Sequence, residues 1–252
     1  MQKTNVVNID ELQTTSTTAP LKNVALCNRL LEMAINRPTH LPGMVCFYGP
    51  PGWGKSFAAA YTANKHSAYY IECKSTWTRK AILIAILKEM GIVPATAIYE
   101  MTDQVSEQLA VSGRPLIVDE MDHIVNKKAV EIVRDIYEGS NAAILMIGEE
   151  SIETKLRKWE RFHSRMLAWQ PAQPADLADA MHLARLYCKD VTIADDLMKL
   201  IQQQSGGVVR RICVNLNLVE QTAINMGVDS ITKKDWANRD MYTGSAPTRR
   251  VC

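Results

Sequence analysis

The sequence predicts an α/β fold, a parallel sheet flanked by helices, followed by a small all-helical domain. Three observations carry this expectation. Short apolar runs alternate with helical segments between residues 44 and 148, a glycine-rich loop joins the first of those runs to a helix, and beyond residue 176 strand signals stop while helical ones continue. Continuous apolar strands separated by helices are the pattern of a sheet covered on both faces.

The elements follow in order. Residues 1–20, polar and closing with TTSTTAP, read as a flexible N-terminal arm. From Leu21 to Asn36 the apolar positions Val24, Leu26, Cys27, Leu30, Leu31, Met33 and Ala34 recur at helical spacing. Then come the strand MVCFY (44–48), a helix over Lys55–Lys65, the strand AYYIEC (68–73) and a helix over Arg79–Met90. A loop containing Pro94 leads to a helix over Asp103–Ser112, the strand PLIVDE (115–120), a helix over Ala129–Glu138 and the strand AAILMIG (142–148). The proline-bearing stretch QPAQPAD, 170–176, separates a first domain of residues 21–170 from a helical domain of residues 171–240. The latter carries helices over Asp176–Lys189, Ile193–Gln204, Val208–Met226 and Thr232–Asp240, with Thr192 and Thr232 as N-caps. Residues 241–252 read as a frayed basic tail, and there is no internal repeat.

Composition narrows the function class only partly. The 252 residues are 47% hydrophobic and 22% charged, enough apolar material for one large or two smaller cores. A net charge of +2 is too small to argue for a nucleic-acid partner, so such an argument must rest on local clusters. The cysteines at 27, 46, 73, 188, 213 and 252 form no CxxC pair and fall mostly in apolar runs, which fits buried thiols in a reducing compartment. His40, His66, His123, His163 and His182 show no metal-ligand spacing. The start lacks the apolar core of a signal peptide, and the longest helical apolar run, AILIAIL at 81–87, is far below the ~20 residues that span a bilayer. The expected location is the cytoplasm or nucleoid, without a membrane partner.

The loop CFYGPPGWGKSF (46–57) carries the first chemistry. Gly49, Gly54, Lys55 and Ser56 satisfy G-x-x-x-x-G-K-[ST] in the required strand, loop, helix context. The pattern arises by chance in on the order of one chain in a hundred of this length, and the context lowers that further. Glycines let backbone N–H groups turn inward around phosphate oxygens, and the helix N-terminus adds a favourable dipole. The stretch Gly49, Pro50, Pro51, Gly52, Trp53, Gly54, Lys55, Ser56 and Phe57 is therefore the candidate phosphate loop, with Lys55 reaching the β and γ phosphates and Ser56 ligating Mg²⁺. PLIVDE supplies the second part. An apolar strand ending in Asp119 and Glu120 places one carboxylate to hold hydrated Mg²⁺ and the next to polarise an attacking water.

With these motifs the chain resembles the AAA+ ATPases over residues 20 to 240. The resemblance implies an AAA+ P-loop NTPase core using ATP and Mg²⁺, with the helical domain as its lid. Two further stretches carry the likeness. RFHSRM (161–166) is similar to the Ser-Arg element that presents an arginine finger to a neighbour's nucleotide, which gives Arg165 that role. SGGVVRR (205–211), with Gly207 and Arg210 three apart, resembles the lid arginine called sensor two. One departure stands at the end of the fourth strand. Many AAA+ proteins place a Thr or Asn there to orient water, whereas this chain reads AAILMIGEES; Gly148 has no side chain for that role, and Glu149 or Glu150 would need a different geometry.

The run from DEMDHIVNKK at 119 to HSRM at 166 resembles the branch that holds the B protein of phage Mu, ATPase regulators of transposons and ExeA-like ATPases. The branch implies an ATP-dependent DNA-binding protein, encoded by a phage or mobile element. It would assemble on DNA as a helical filament or ring, select target DNA and deliver it to a transposase that it activates. The Mu protein has an additional N-terminal helical DNA-binding domain, which the 20-residue arm is too short to hold.

Two basic segments are the candidate contacts to double-stranded DNA. CKSTWTRK (73–80) offers Lys74, Arg79 and Lys80 with Thr76 and Thr78 interleaved, a set suited to phosphates rather than to base reading. Trp77 reads as a packing residue. The second segment, NKK at 126–128, is expected at a helix start, with Lys127 and Lys128. A solvated loop would carry the same residues, and Lys233, Lys234, Arg239, Arg249 and Arg250 are explained equally well by a charged helix face and a terminus. Other readings of the whole are a helicase-loader or replication-initiator ATPase acting on a protein partner, an ExeA-like ATPase of envelope assembly, and a nucleotide-switched scaffold that scarcely hydrolyses.

Overall fold

The computed structural model describes residues 19–245. The arm up to residue 18 and the tail from residue 246 lie outside the described residues. Contacts divide the described residues into two units, 23–173, and 174–245 together with 19–22.

The first unit is built on a five-stranded sheet. Its strands are β1 (Met44–Tyr48), β2 (Tyr69–Glu72), β3 (Leu116–Asp119), β4 (Ile144–Gly148) and β5 (Met166–Pro171), in the order β2-β3-β4-β1-β5. Every pairing is parallel. The helices are α1 (Lys22–Ile35), α2 (Lys55–Lys65), α3 (Arg79–Glu89), α4 (Ile98–Ser112), α5 (Asp122–Asn126), α6 (Glu131–Ser140), α7 (Ile152–Leu156) and α8 (Glu160–His163). β1, β3 and β4 are the middle strands, and nearly every side chain on them is buried: Val45, Phe47, Leu116, Val118, Ile144 and Met146 are inaccessible to solvent. Burial of both faces removes any need for polar alternation, which is why these strands read as unbroken apolar runs. Ile82, Leu83, Ile86 and Leu87 of α3 and Ile132, Val133 and Ile136 of α6 pack into the same core.

Four differences from the sequence reading have physical causes. β5 was not expected, because it is an edge strand whose residues are all half-buried or exposed and which ends on Pro171, so no continuous apolar run marks it. α4 begins at Ile98 rather than Asp103: Ile98 and Tyr99 are exposed and break the apolar period, while the Glu100 carboxylate accepts from the Ala97 N–H at 3.2 Å and closes the first turn. Lys127 and Lys128 stand at the end of α5, not at a helix start. Lys127 is its C-cap and Lys128 takes φ +55, a conformation that stops the helix. Ala19 is buried, so the last residues of the expected arm pack rather than hang free.

The second unit holds α9 (Leu177–Tyr187), α10 (Asp195–Ser205), α11 (Val209–Met226) and α12 (Lys233–Trp236). It is not wholly helical: β6 (Thr192–Ile193) and β7 (Ser230–Ile231) form a short parallel pair. Thr192 therefore belongs to a strand and Ala194 is the N-cap of α10. Thr232 does cap α12, its hydroxyl accepting from the Asp235 N–H. Residues 241–242 are tied down rather than frayed. The inaccessible Asn215 accepts from the Tyr242 N–H at 2.7 Å, donates to the Tyr242 carbonyl at 3.0 Å and donates to the Ser205 hydroxyl at 3.0 Å.

Asn215→Ala should therefore destabilise this unit by about 1–3 kcal/mol, the cost of orphaning buried polar groups. It should also expose the 241–242 backbone to exchange. Urea unfolding and amide hydrogen exchange check this, and unchanged protection at Tyr242 would show that the side chain holds nothing.

Candidate nucleotide site

The phosphate loop grows out of β1 and is fixed at both ends. At its root the Gly49 N–H donates to the Gly148 carbonyl of β4 (3.2 Å), and the Ala172 N–H just beyond β5 donates to the Tyr48 carbonyl (2.7 Å). At its far side the buried Asn23 of α1 donates to both the Trp53 and Gln173 carbonyls at 2.8 Å and accepts from the Gln173 N–H at 2.8 Å. Gly54 then enters α2 with φ +81, a left-handed position that a side chain would strain. α2 has no side-chain N-cap, so the amides of its first turn, at Lys55, Ser56 and Phe57, have no partner within the helix. A helix start of this kind can receive an anion.

Lys55 folds back on the loop, its Nζ donating to the carbonyls of Gly49 (2.7 Å) and Pro50 (3.0 Å). Burial pushes its pKa down, and the negative field of Glu120, Asp119, Glu149 and Asp122 opposes that shift. These four carboxylates come from the ends of β3 and β4 and from the residues just after them.

Asp119 is buried at the end of β3. Its Oδ1 accepts from the Glu120 N–H at 2.7 Å and its Oδ2 from the Tyr70 hydroxyl of β2 at 2.9 Å. Burial and the neighbouring Asp119 charge raise the Tyr70 phenol well above its ordinary value. Glu120 is half-buried and lies at φ +53, a conformation that costs a residue with a side chain on the order of 1 kcal/mol. Its carboxyl is raised, first by burial and then by Asp119.

Asp122 was not singled out in the sequence, and it organises the end of β4. Buried itself, it accepts from the Glu149 N–H at 2.6 Å through Oδ2 and from Lys155 Nζ at 2.7 Å through Oδ1. A Cβ on Gly148 would lie 2.8 Å from Asp122 Oδ2 and would overlap the Ile152 side chain. The position at which the resemblance expects a Thr or Asn is thus closed to any side chain here. Asp122 is legible only as the fourth residue of DEMD, and Asn23 and Tyr70 carry no local signal at all.

The residues suit a hydrated Mg²⁺ bound with a nucleotide. Asp119 is a buried carboxylate with no cation partner among the described residues, and Ser56 is exposed at the helix start. No cluster of three or more His, Cys, Asp or Glu able to hold a metal occurs among the described residues. Mg²⁺ takes most of its ligands from phosphate and water and needs no such cluster. Burial pushes the Cys27 and Cys73 thiols up to about 12, which keeps them protonated and unreactive.

The remaining candidates are placed as follows. Arg165 follows α8, half-exposed, with its Nε on the Glu138 carboxylate of α6 at 2.5 Å. Arg210 is exposed in the first turn of α11, in the second unit. The two basic segments meet. Lys127 Nζ donates to the Trp77 carbonyl at 2.9 Å and Arg79 donates to the Lys128 carbonyl at 3.0 Å, which brings Arg79, Lys127 and Lys128 together; Lys74 and Lys80 are exposed in the same segment, with Lys80 Nζ donating to the Thr96 carbonyl at 2.9 Å. Thr76 is exposed there too, Thr78 is the N-cap of α3, and Trp77 packs against the core as expected.

Residues 37–156 match the family model described as AAA domain. The fold is that of an AAA+ P-loop NTPase. Among solved structures, Cdc6p from Pyrobaculum aerophilum superposes with a TM-score of 0.63 at 13% identity, covering 88% of this chain and 67% of that one. The Aeropyrum pernix Orc1 protein in complex with DNA gives a TM-score of 0.64 at 14% identity, covering 91% and 67%. No curated protein matches the sequence. Among the described residues no helix is long and apolar enough to cross a membrane.

In an AAA+ fold the raised Glu120 carboxyl has a consequence for stability. Because the folded protein holds that proton more tightly than the unfolded chain does, its contribution is full below the ordinary value of 4.5 and is lost as pH rises through the raised one. Glu120→Gln should therefore melt higher than the parent near neutral pH, with the gain vanishing toward about pH 4. Melting curves across that range test this, and a lower melting temperature at neutral pH would contradict it. Gly148→Asn should cost about 1–3 kcal/mol by overpacking against Ile152 and Asp122, read by urea unfolding.

Proposed function

We propose that this protein is an ATPase that binds double-stranded DNA through its backbone, assembles on it with ATP as a helical filament or ring, and presents target DNA to a transposase. The AAA domain supports nucleotide hydrolysis with ATP and Mg²⁺. The observation that carries the DNA part is the joining of the two basic segments. β2 and β3 pair in register, Glu72 beside Asp119, and the Cys73 N–H donates to the Asp119 carbonyl at 3.0 Å. The chain then continues from β2 into Lys74–Lys80 and from β3 into Lys127–Lys128. The cationic segments thus follow β3, which carries Asp119 and leads into Glu120, and its neighbour β2, which supports hydrolysis that responds to DNA.

In this reading Lys55 binds the β and γ phosphates, Ser56 and Asp119 hold Mg²⁺, and Glu120 orients the attacking water. Mg²⁺ supplies charge neutralisation for the transferred phosphoryl group. Arg165 serves a neighbouring copy's nucleotide after leaving Glu138, and Arg210 is the lid arginine. The transposition assignment rests on the sequence resemblance of residues 119–166. A replication-initiator role is the second reading, favoured by the likeness to Cdc6p and to Orc1 in complex with DNA.

The decisive experiment measures ATP turnover with and without duplex DNA of arbitrary sequence, with electron microscopy of the same samples. Salt-sensitive stimulation with continuous ATP-dependent filaments is the expected result. Discrete complexes that need a particular DNA sequence would favour the initiator reading, and no DNA effect with no filaments would overturn the transposition reading in favour of an ATPase acting on a protein partner. Lys55→Ala should abolish nucleotide binding and assembly. Arg79→Ala combined with Lys127→Ala should weaken DNA binding at every sequence and reduce the slope of log affinity against log salt by about 2. An unchanged slope would remove this surface from the DNA interface.

A further inference from the structure

Tyr70 takes no part in the roles assigned above, yet it touches the most buried carboxylate of the site. It lies on β2 opposite Ile117 of β3, with Glu72 opposite Asp119. Side chains alternate along a strand, and opposed residues point to the same face, so Tyr70 and Asp119 share a face, two positions apart along the strands. The hydroxyl reaches across that diagonal to Asp119 Oδ2 at 2.9 Å. Phenylalanine would span the same distance without a donor, and serine or threonine would not reach.

Asp119 needs such a donor. A buried carboxylate is costly unless its oxygens are hydrogen-bonded, and no lysine, arginine or histidine of the described residues pairs with this one. Its two partners are neutral, the Glu120 N–H on Oδ1 and the Tyr70 hydroxyl on Oδ2. One donor on each oxygen fixes the plane of the carboxylate and leaves further lone pairs on both to accept from water. A cationic partner would satisfy Asp119 equally well but would cancel the negative charge that a divalent ion requires.

We propose that Tyr70 is a positioning residue for the Mg²⁺ site, holding the Asp119 carboxylate in the orientation that receives the water shell of a nucleotide-bound Mg²⁺. The inference rests on the reading of Asp119 as the carboxylate for that ion. Outer-shell donors of this kind are worth about 10–100-fold in metal affinity when removed. The Tyr70 hydroxyl acts through Asp119 alone, so its effect belongs to the metal and not to phosphate binding by the loop.

The test uses the full chain and a fluorescent ATP analogue, titrated in EDTA and then with Mg²⁺. For Tyr70→Phe, affinity in EDTA should match the parent and the melting temperature should fall modestly, since buried Asp119 loses a donor, while the Mg²⁺ concentration for half-maximal tightening rises about tenfold. Tyr69→Phe is the control. Its hydroxyl lies on the other face of β2, accepting from Gln108 at 3.0 Å, and it should leave the Mg²⁺ titration unchanged. In an Asp119→Asn background the Tyr70→Phe shift should disappear. An unchanged Mg²⁺ half-saturation in Tyr70→Phe, an equal shift in Tyr69→Phe, or a shift that persists in Asp119→Asn would overturn the proposal. A parent protein that binds no nucleotide would instead overturn the nucleotide-site reading itself, and this inference with it.

Discussion

Asp119 and Asp122 are both buried at one end of a parallel sheet, and the layout of the site follows from how each is satisfied. Asp122 has a cation, Lys155, and a backbone donor, the Glu149 N–H, so it is neutralised and serves to fasten the residues after β4. Asp119 has only neutral donors, so its charge is not cancelled by a protein cation. Two acids three positions apart thus differ in their partners, and the proposed roles follow that difference. The same division explains Gly148, whose missing side chain gives Asp122 and Ile152 the space they occupy.

The surrounding loop is held in readiness by similar means. Lys55 donates to the carbonyls of Gly49 and Pro50, bonds that a phosphate can replace without leaving the ammonium unsatisfied. Glu120 holds a left-handed backbone, and its carboxyl is raised by burial and by the neighbouring Asp119 charge. A divalent cation arriving with a nucleotide would offset those two adjacent negative charges.

What could be read from the sequence follows the range of the interactions involved. β1, β3 and β4 were legible because burial on both faces leaves an unbroken apolar signature, and the phosphate loop and DE pair because their residues are contiguous. β5 was hidden by its edge position, and the start of α4 by the exposed Ile98 and Tyr99. Asn23 and Tyr70 act on residues 30 and 49 positions away, across elements that only the folded sheet brings together. The meeting of the two basic segments, by contacts 49 and 50 residues apart, was invisible for the same reason. That meeting turns two ambiguous charge clusters into one surface.

Arg165 shows how assembly could be linked to this site at small cost. Its contact with Glu138 is an ion pair between two side chains that are each nearly half-exposed, at 43% and 45%. Exposed pairs of this kind contribute about 0–1 kcal/mol. A guanidinium held so weakly keeps its rotamer without being committed to it. The half-buried Lys155 on buried Asp122 could not be redirected in this way, since separating it would leave an uncompensated charge on Asp122. In the proposed assembly, the surface arginine can therefore change partners when a neighbouring subunit offers a more concentrated negative charge, while Lys155 stays fixed.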